Sequence, residues 1–142
     1  MATMRRTDSS LRSLTGFMPH SSAVLLIAHG SRRPDANADL VRLAGMLRPR
    51  LPDEIIEIAY LELAAPTIPE GLERCLASGA TRIRMLPFFL SAGSHVTQDL
   101  EAFRAEFAKV HPDRTVELCP PLGLHPRIVD ILLDRLSEAG PV

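Results

Sequence analysis

From Ala23 onward the chain alternates between short apolar runs and longer amphipathic stretches. Ala23-Val-Leu-Leu-Ile-Ala28 is continuously apolar and stops at His29-Gly30-Ser31, as expected of a strand buried on both faces and ended by a turn. Pro34 to Leu47 follows with Leu40, Val41, Leu43, Ala44 and Leu47 at three- and four-residue spacings and Arg42 and Arg48 on the other side, which predicts a helix closed by Pro49 and Pro52. The cycle repeats. Glu54 to Leu63 predicts a β-branched second strand, Pro69 to Ser78 a helix stopped by Gly79, and Thr81 to Leu90 a third strand. Val96 to Val110 predicts a third helix, Thr115 to Cys119 a brief fourth strand, Pro120-Pro121 a stiff loop, and Pro126 to Leu136 a last helix.

Strand-then-helix units with short connections require crossovers, and right-handed crossovers make a parallel sheet. The expected fold is α/β: a flavodoxin-like three-layer sandwich with a four-stranded parallel sheet and helices on both faces. Ligands in such sheets bind beyond the carboxyl ends of the strands, so the residues just after each strand carry the most weight. Residues 1–22 are Ser-rich and polar with Arg5, Arg6 and Arg12, but no apolar stretch follows the arginines as in a signal peptide. They are expected to be a disordered N-terminal extension to a single domain over 23–142.

Composition narrows the function. With 46% hydrophobic residues, 142 positions suffice for one core. A net charge of −1 offers no bulk attraction for nucleic acid or an anionic membrane, so any anion site must be local. The apolar runs fall short of the ~20 residues of a bilayer span. Cys75 and Cys119 form neither a CxxC pair nor a disulfide framework, which suits a reducing cytoplasm.

The strand ends carry the chemistry. His29 follows the first strand, Glu62 lies near the end of the second, and His95 follows the third; equal intervals of 33 residues separate them, about one βα unit each. Equivalent strand termini would present all three side chains on one rim. Two imidazoles and a carboxylate suit zinc, iron, cobalt or nickel and leave coordination positions open for a substrate atom. The plain alternatives are a turn or cap histidine at 29, a helix-start residue at 95 and a solvated carboxylate at 62. His125 beside Pro126 also suits a helix cap.

Rival motifs are missing. Ser91-Ala92-Gly93-Ser94-His95 lacks the second glycine of a G-x-S-x-G elbow at its required place, and neither the G-x-G-x-x-G nor the G-x-x-x-x-G-K-[ST] fingerprint occurs, so no nucleotide is implied. Histidine mutases carry Arg directly before His-Gly, whereas Ala28 precedes His29.

Four blocks in order closely resemble the short form of the sirohydrochlorin chelatase family, the class II chelatases of CbiX and SirB type. They are Leu25-Leu-Ile-Ala-His29-Gly-Ser-Arg32, Tyr60-Leu-Glu62-Leu-Ala64, Leu86-Pro-Phe-Phe-Leu-Ser-Ala-Gly-Ser-His95-Val96 and Pro120-Pro-Leu-Gly-Leu-His125-Pro126, and the likeness spans about Val24 to Leu136.

The resemblance implies an ATP-independent enzyme that inserts Co2+ or Fe2+, and in relatives Ni2+, into sirohydrochlorin on the way to cobalamin or sirohaem. It implies His29, His95 and Glu62 as both metal ligands and catalytic groups, the metal being substrate. The tetrapyrrole is a polycarboxylate, for which Arg32 and Arg33 offer guanidinium forks, and Ser31, Ser94 and His125 mark amide groups near helix starts. The longer family form joins two such half-domains in one chain, so a homodimer is the expected assembly here by analogy. A non-catalytic tetrapyrrole or metal carrier with the same fold is the competing function.

Overall fold

The computed structural model of the chain describes residues 21–141; the extension expected over 1–22 falls, up to position 20, outside the described residues. Four strands, β1 (Ser22–Ala28), β2 (Glu54–Tyr60), β3 (Arg82–Pro87) and β4 (Thr115–Leu118), form one sheet in the order β2-β1-β3-β4 with every pairing parallel. Helices α1 (Pro34–Leu47), α2 (Ile68–Ala77), α3 (Ser94–Val110) and α4 (Arg127–Ser137) follow the strands in turn, and a 3-10 turn (Arg48–Arg50) extends α1. This is the expected parallel α/β architecture. The winding direction reverses between β1 and β3, where an open sheet forms its ligand crevice.

β1 is central, and its unbroken apolar run now has a physical reason: both of its faces are covered. Ala23, Leu25 and Ile27 face α2 and α3 with Ile68, Leu72, Cys75, Ile83, Met85 and Leu100. Val24 and Leu26 face α1 with Leu40, Ala44, Ile56 and Tyr60. Gly71 lets α2 approach the sheet, since a Cβ there would sit 2.7 Å from Leu25 Cδ1 and 2.9 Å from Ala59 Cβ.

Two strands end earlier than their apolar runs. β2 stops at Tyr60 rather than Leu63 because the chain turns away, with Leu63 in the left-handed region at φ 65°. β3 stops at Pro87 rather than Leu90: proline has no N–H for the ladder, and the last sheet-like bond is Phe88 N–H to the Ile27 carbonyl, 2.7 Å. α3 begins at Ser94, two residues before Val96, which places His95 in its first turn.

The last helix departs furthest from expectation. α4 forms where the pattern places it, but among the described residues it has no buried residue and no substantial packing against any other element.

Candidate functional site

The rim beyond the carboxyl ends of β1 and β2 is built by a short extension of their pairing. Leu61 N–H donates to the Ala28 carbonyl at 2.9 Å and Glu62 N–H to the His29 carbonyl at 3.0 Å, so register persists two residues past the strands. Gly30 makes this approach possible. It sits at φ 97°, and a Cβ there would lie 1.8 Å from the Glu62 carbonyl oxygen. The two backbones thus deliver the side chains of His29 and Glu62 to one place, with His29 Nε2 2.8 Å from Glu62 Oε1 and both side chains about half exposed. The edge of Phe89, from the loop after β3, meets the His29 ring at a centroid distance of 6.2 Å and 72°.

The loop after β1 is fixed by a residue that pattern reading passed over. Asn37 Oδ1 accepts from Ser31 N–H at 2.9 Å, and Asn37 Nδ2 donates to the Ser31 carbonyl at 2.7 Å. Tyr60, buried at the end of β2, donates its hydroxyl to the Asn37 carbonyl at 2.6 Å. Burial also pushes the Tyr60 phenol upward from its ordinary value of 10.0, which keeps it a donor. A polar residue at an inward helical position, three residues after a proline N1, was the available signal for Asn37.

The expected three-residue cluster is only partly formed. His29 and Glu62 meet, but among the described residues no group of three or more His, Cys, Asp or Glu side chains gathers closely enough to hold an ion. His95 stands exposed on the first turn of α3, beyond a loop of six residues after β3, and that loop and not the sheet sets its position.

The anion-binding expectations divide similarly. Arg32 and Arg33 are exposed beside His29, and among the described residues neither guanidinium has a carboxylate partner. Ser31 is not at a helix start; its N–H is taken by Asn37 and its hydroxyl accepts from Arg33 N–H at 3.0 Å. Ser94 opens α3 behind Gly93, which supplies no capping side chain. His125 behaves as a cap, its Nδ1 accepting from Arg127 N–H at 3.1 Å. Leu63, Phe88 and Leu90, in the segments that follow β2 and β3, are exposed apolar side chains, and Asp99 and Glu106 of α3 join Glu62 in an open cleft.

The arrangement has three chemical capacities. An imidazole nitrogen and a carboxylate oxygen 2.8 Å apart are two adjacent groups of the kind that ligate a divalent cation. Either can accept a proton. Their half exposure leaves an open side for a second ligand.

Comparison with known proteins gives the family and the fold. The family model described as CbiX matches residues 23–139. The sirohydrochlorin ferrochelatase of Priestia megaterium is 35% identical over 129 residues, covering 91% of this chain and 48% of that protein. The sirohydrochlorin cobaltochelatase of Methanocaldococcus jannaschii is 32% identical, covering 80% of this chain and 96% of that protein. Among solved structures, the sirohydrochlorin chelatase SirB from Bacillus subtilis subspecies spizizenii in complex with cobalt superposes with a TM-score of 0.77 at 28% identity, covering 83% of this chain and 50% of that one. The chain spans about half the length of the Priestia protein and of SirB.

Proposed function

The chain belongs to the CbiX family, and from that premise we propose that it inserts a divalent metal, Co2+ or Fe2+, into sirohydrochlorin without nucleotide hydrolysis. The observation that carries the reading is the His29–Glu62 pair at the carboxyl rim of β1 and β2.

The metal is substrate. A hydrated ion binds at His29 Nε2 and Glu62 Oε1, keeping open coordination positions because the pair is half exposed. His95, on the first turn of α3 at the same end of the sheet, is the third donor this reading assigns. The macrocycle settles against the apolar side chains of Leu63, Phe88 and Leu90, with its carboxylates toward Arg32 and Arg33. Its pyrrole nitrogens displace water from the ion while their protons pass to Glu62 or His29. The Asp99 and Glu106 carboxylates beside Glu62 favour approach of a cation over an anion from that side.

Two copies of the chain form the working unit in this reading, as two half-length chains match the length of the longer relatives. The free thiols of Cys75 and Cys119 fit a reducing cytoplasm. Among the described residues no helix is long and apolar enough to cross a membrane.

The test is an absorbance time course with Co2+ and sirohydrochlorin in excess over protein, repeated with Fe2+ and Ni2+. Several equivalents of metallated product per chain support the reading. Spectral change that stops at one equivalent assigns a carrier instead.

A further inference from the structure

The pairing of β1 with both of its neighbours runs on past the strand ends and sets the surroundings of His29. On one side Ile27 lies opposite Pro87, and the bond from Phe88 N–H to the Ile27 carbonyl at 2.7 Å carries that register forward, so that Phe89 comes opposite His29. On the other side Ala28 lies opposite Tyr60, and the bond from Leu61 N–H to the Ala28 carbonyl at 2.9 Å brings Leu61 opposite His29. Side chains alternate between the two faces of a sheet. Ala23, Leu25 and Ile27 face α2 and α3, so His29 falls on that face, where Leu61 and Phe89 both pack against the core.

His29 is therefore the middle of a row whose flanks are a leucine and a phenylalanine. The Phe89 and His29 rings stand 6.2 Å apart between centroids at 72°, the edge-on arrangement that aromatic pairs prefer. The second torsion of a histidine side chain is broad and has no sharp minimum of its own, so the plane of a half-exposed imidazole is set by what it touches. Here it touches two things: Glu62 at Nε2, 2.8 Å away, and the Phe89 ring.

The neighbouring phenylalanine has a different place. Phe88 points to the α1 side, beside Leu26 and Leu86, and is exposed, whereas Phe89 is half-buried. The Phe89 backbone is also held, its carbonyl accepting from Leu122 N–H at 3.1 Å. Phe89 is thus fixed through its ring by the core under α2 and α3, and through its carbonyl by the chain after β4. A ring anchored twice can serve as a wall for another.

We propose that Phe89 is a positioning residue for metal transfer: its ring fixes the plane of the His29 imidazole and keeps Nε2 aimed at Glu62 and at the arriving cation. The inference rests on the reading of His29 as a ligand of the metal substrate, and it adds what orients that ligand before the ion arrives. An imidazole free to turn must give up its other orientations on binding, and that ordering cost weakens the site. Phe89 acts through His29, while the exposed Phe88 is the ring left for the tetrapyrrole.

The test titrates the full chain with Co2+ and measures separate KM values for Co2+ and sirohydrochlorin, comparing wild type with Phe89→Leu. Phe89→Met repeats the comparison with a flexible apolar side chain that still fills the space. Loss of one aromatic contact is expected to weaken Co2+ binding about 2–12-fold and to raise KM for Co2+ in step, with KM for the tetrapyrrole unchanged. In a His29→Ala background, Phe89→Leu is expected to weaken Co2+ binding no further, because the ring it acts through is gone. Unchanged Co2+ binding in Phe89→Leu, with or without a rise in KM for the tetrapyrrole, overturns the positioning role and leaves His29 a ligand. So does an equal loss of Co2+ affinity with and without His29. Co2+ affinity that His29→Ala alone does not alter overturns both readings.

Discussion

His29 Nε2 and Glu62 Oε1 lie 2.8 Å apart although 33 residues separate them, because parallel pairing of β1 and β2 continues two residues beyond the strands. Both side chains are about half exposed, so neither contributes much to core burial. His29→Ala, and independently His95→Ala, is expected to abolish assisted metal insertion while leaving the thermal midpoint nearly unchanged. Losing a direct donor should exceed the roughly 10–100-fold effect typical of groups that only orient a ligand. Glu62→Gln keeps the shape and removes the charge, and should be milder if the carboxylate mainly captures the ion. Insertion rates at fixed Co2+ with paired melting curves check this; a collapse of stability would mark the histidines as structural caps.

Gly30→Ala should damage the site through the backbone. Its φ of 97° costs a non-glycine residue roughly 1–3 kcal/mol, and the added Cβ would meet the Glu62 carbonyl oxygen at 1.8 Å. The β1 and β2 extensions must then part, separating His29 from Glu62. The expected result is a lowered denaturant midpoint together with loss of insertion, so Gly30→Ala and His29→Ala differ in stability and agree in activity.

Asn37 is expected to behave as a positioning residue. Asn37→Ala removes two hydrogen bonds to Ser31, each worth about 1 kcal/mol net, and frees the loop that carries Arg32 and Arg33. Tyr60→Phe removes only the bond to the Asn37 carbonyl. If the loop holds the tetrapyrrole carboxylates, both variants should raise KM for the tetrapyrrole more than they lower kcat, with Asn37→Ala the stronger. Equal losses in kcat with unchanged KM would argue against that role.

The two thiols should differ sharply. Burial, and next the negative charge of Glu57, push the Cys75 thiol up from 9.0 to about 12, whereas Cys119 is half-buried. At pH 8 one thiol per native chain should react with a disulfide reagent, and Cys119→Ser should remove that reaction. Between 9.0 and about 12 the unfolded thiol ionises while the folded one stays neutral, so the contribution of Cys75 to stability is complete below 9.0 and is lost as pH rises. Cys75→Ala should show a shallower fall in stability over that window.

The sheet was legible because β1, buried on both faces, leaves an unbroken apolar run, and because α1 and α3 carry helical periodicity long enough to outweigh local propensity. Strand ends were less legible. The apolar residues Leu61, Leu63, Phe88 and Leu90 continue the strand pattern past the point where Leu63 turns left-handed and Pro87 ends the ladder. His29 and Glu62 could be paired from sequence because parallel strands of similar length put equivalent positions side by side. His95 could not be placed this way, since a loop and a helix turn carry it. The standing-off of α4 left no mark on the pattern: an amphipathic stripe states that an apolar face needs cover, and not which chain provides it.

Multiple turnover is the most direct test of the central claim, that the His29–Glu62 rim hands a divalent metal to a tetrapyrrole. The wild-type chain and the His29→Ala, His95→Ala double variant are each mixed with Co2+ and a tenfold excess of sirohydrochlorin, and metallation is followed by absorbance. The account predicts that the wild type converts the full excess faster than the uncatalysed background, and that the double variant does not exceed that background. A double variant that inserts cobalt at the wild-type rate, or a wild type that halts after one equivalent, would contradict it.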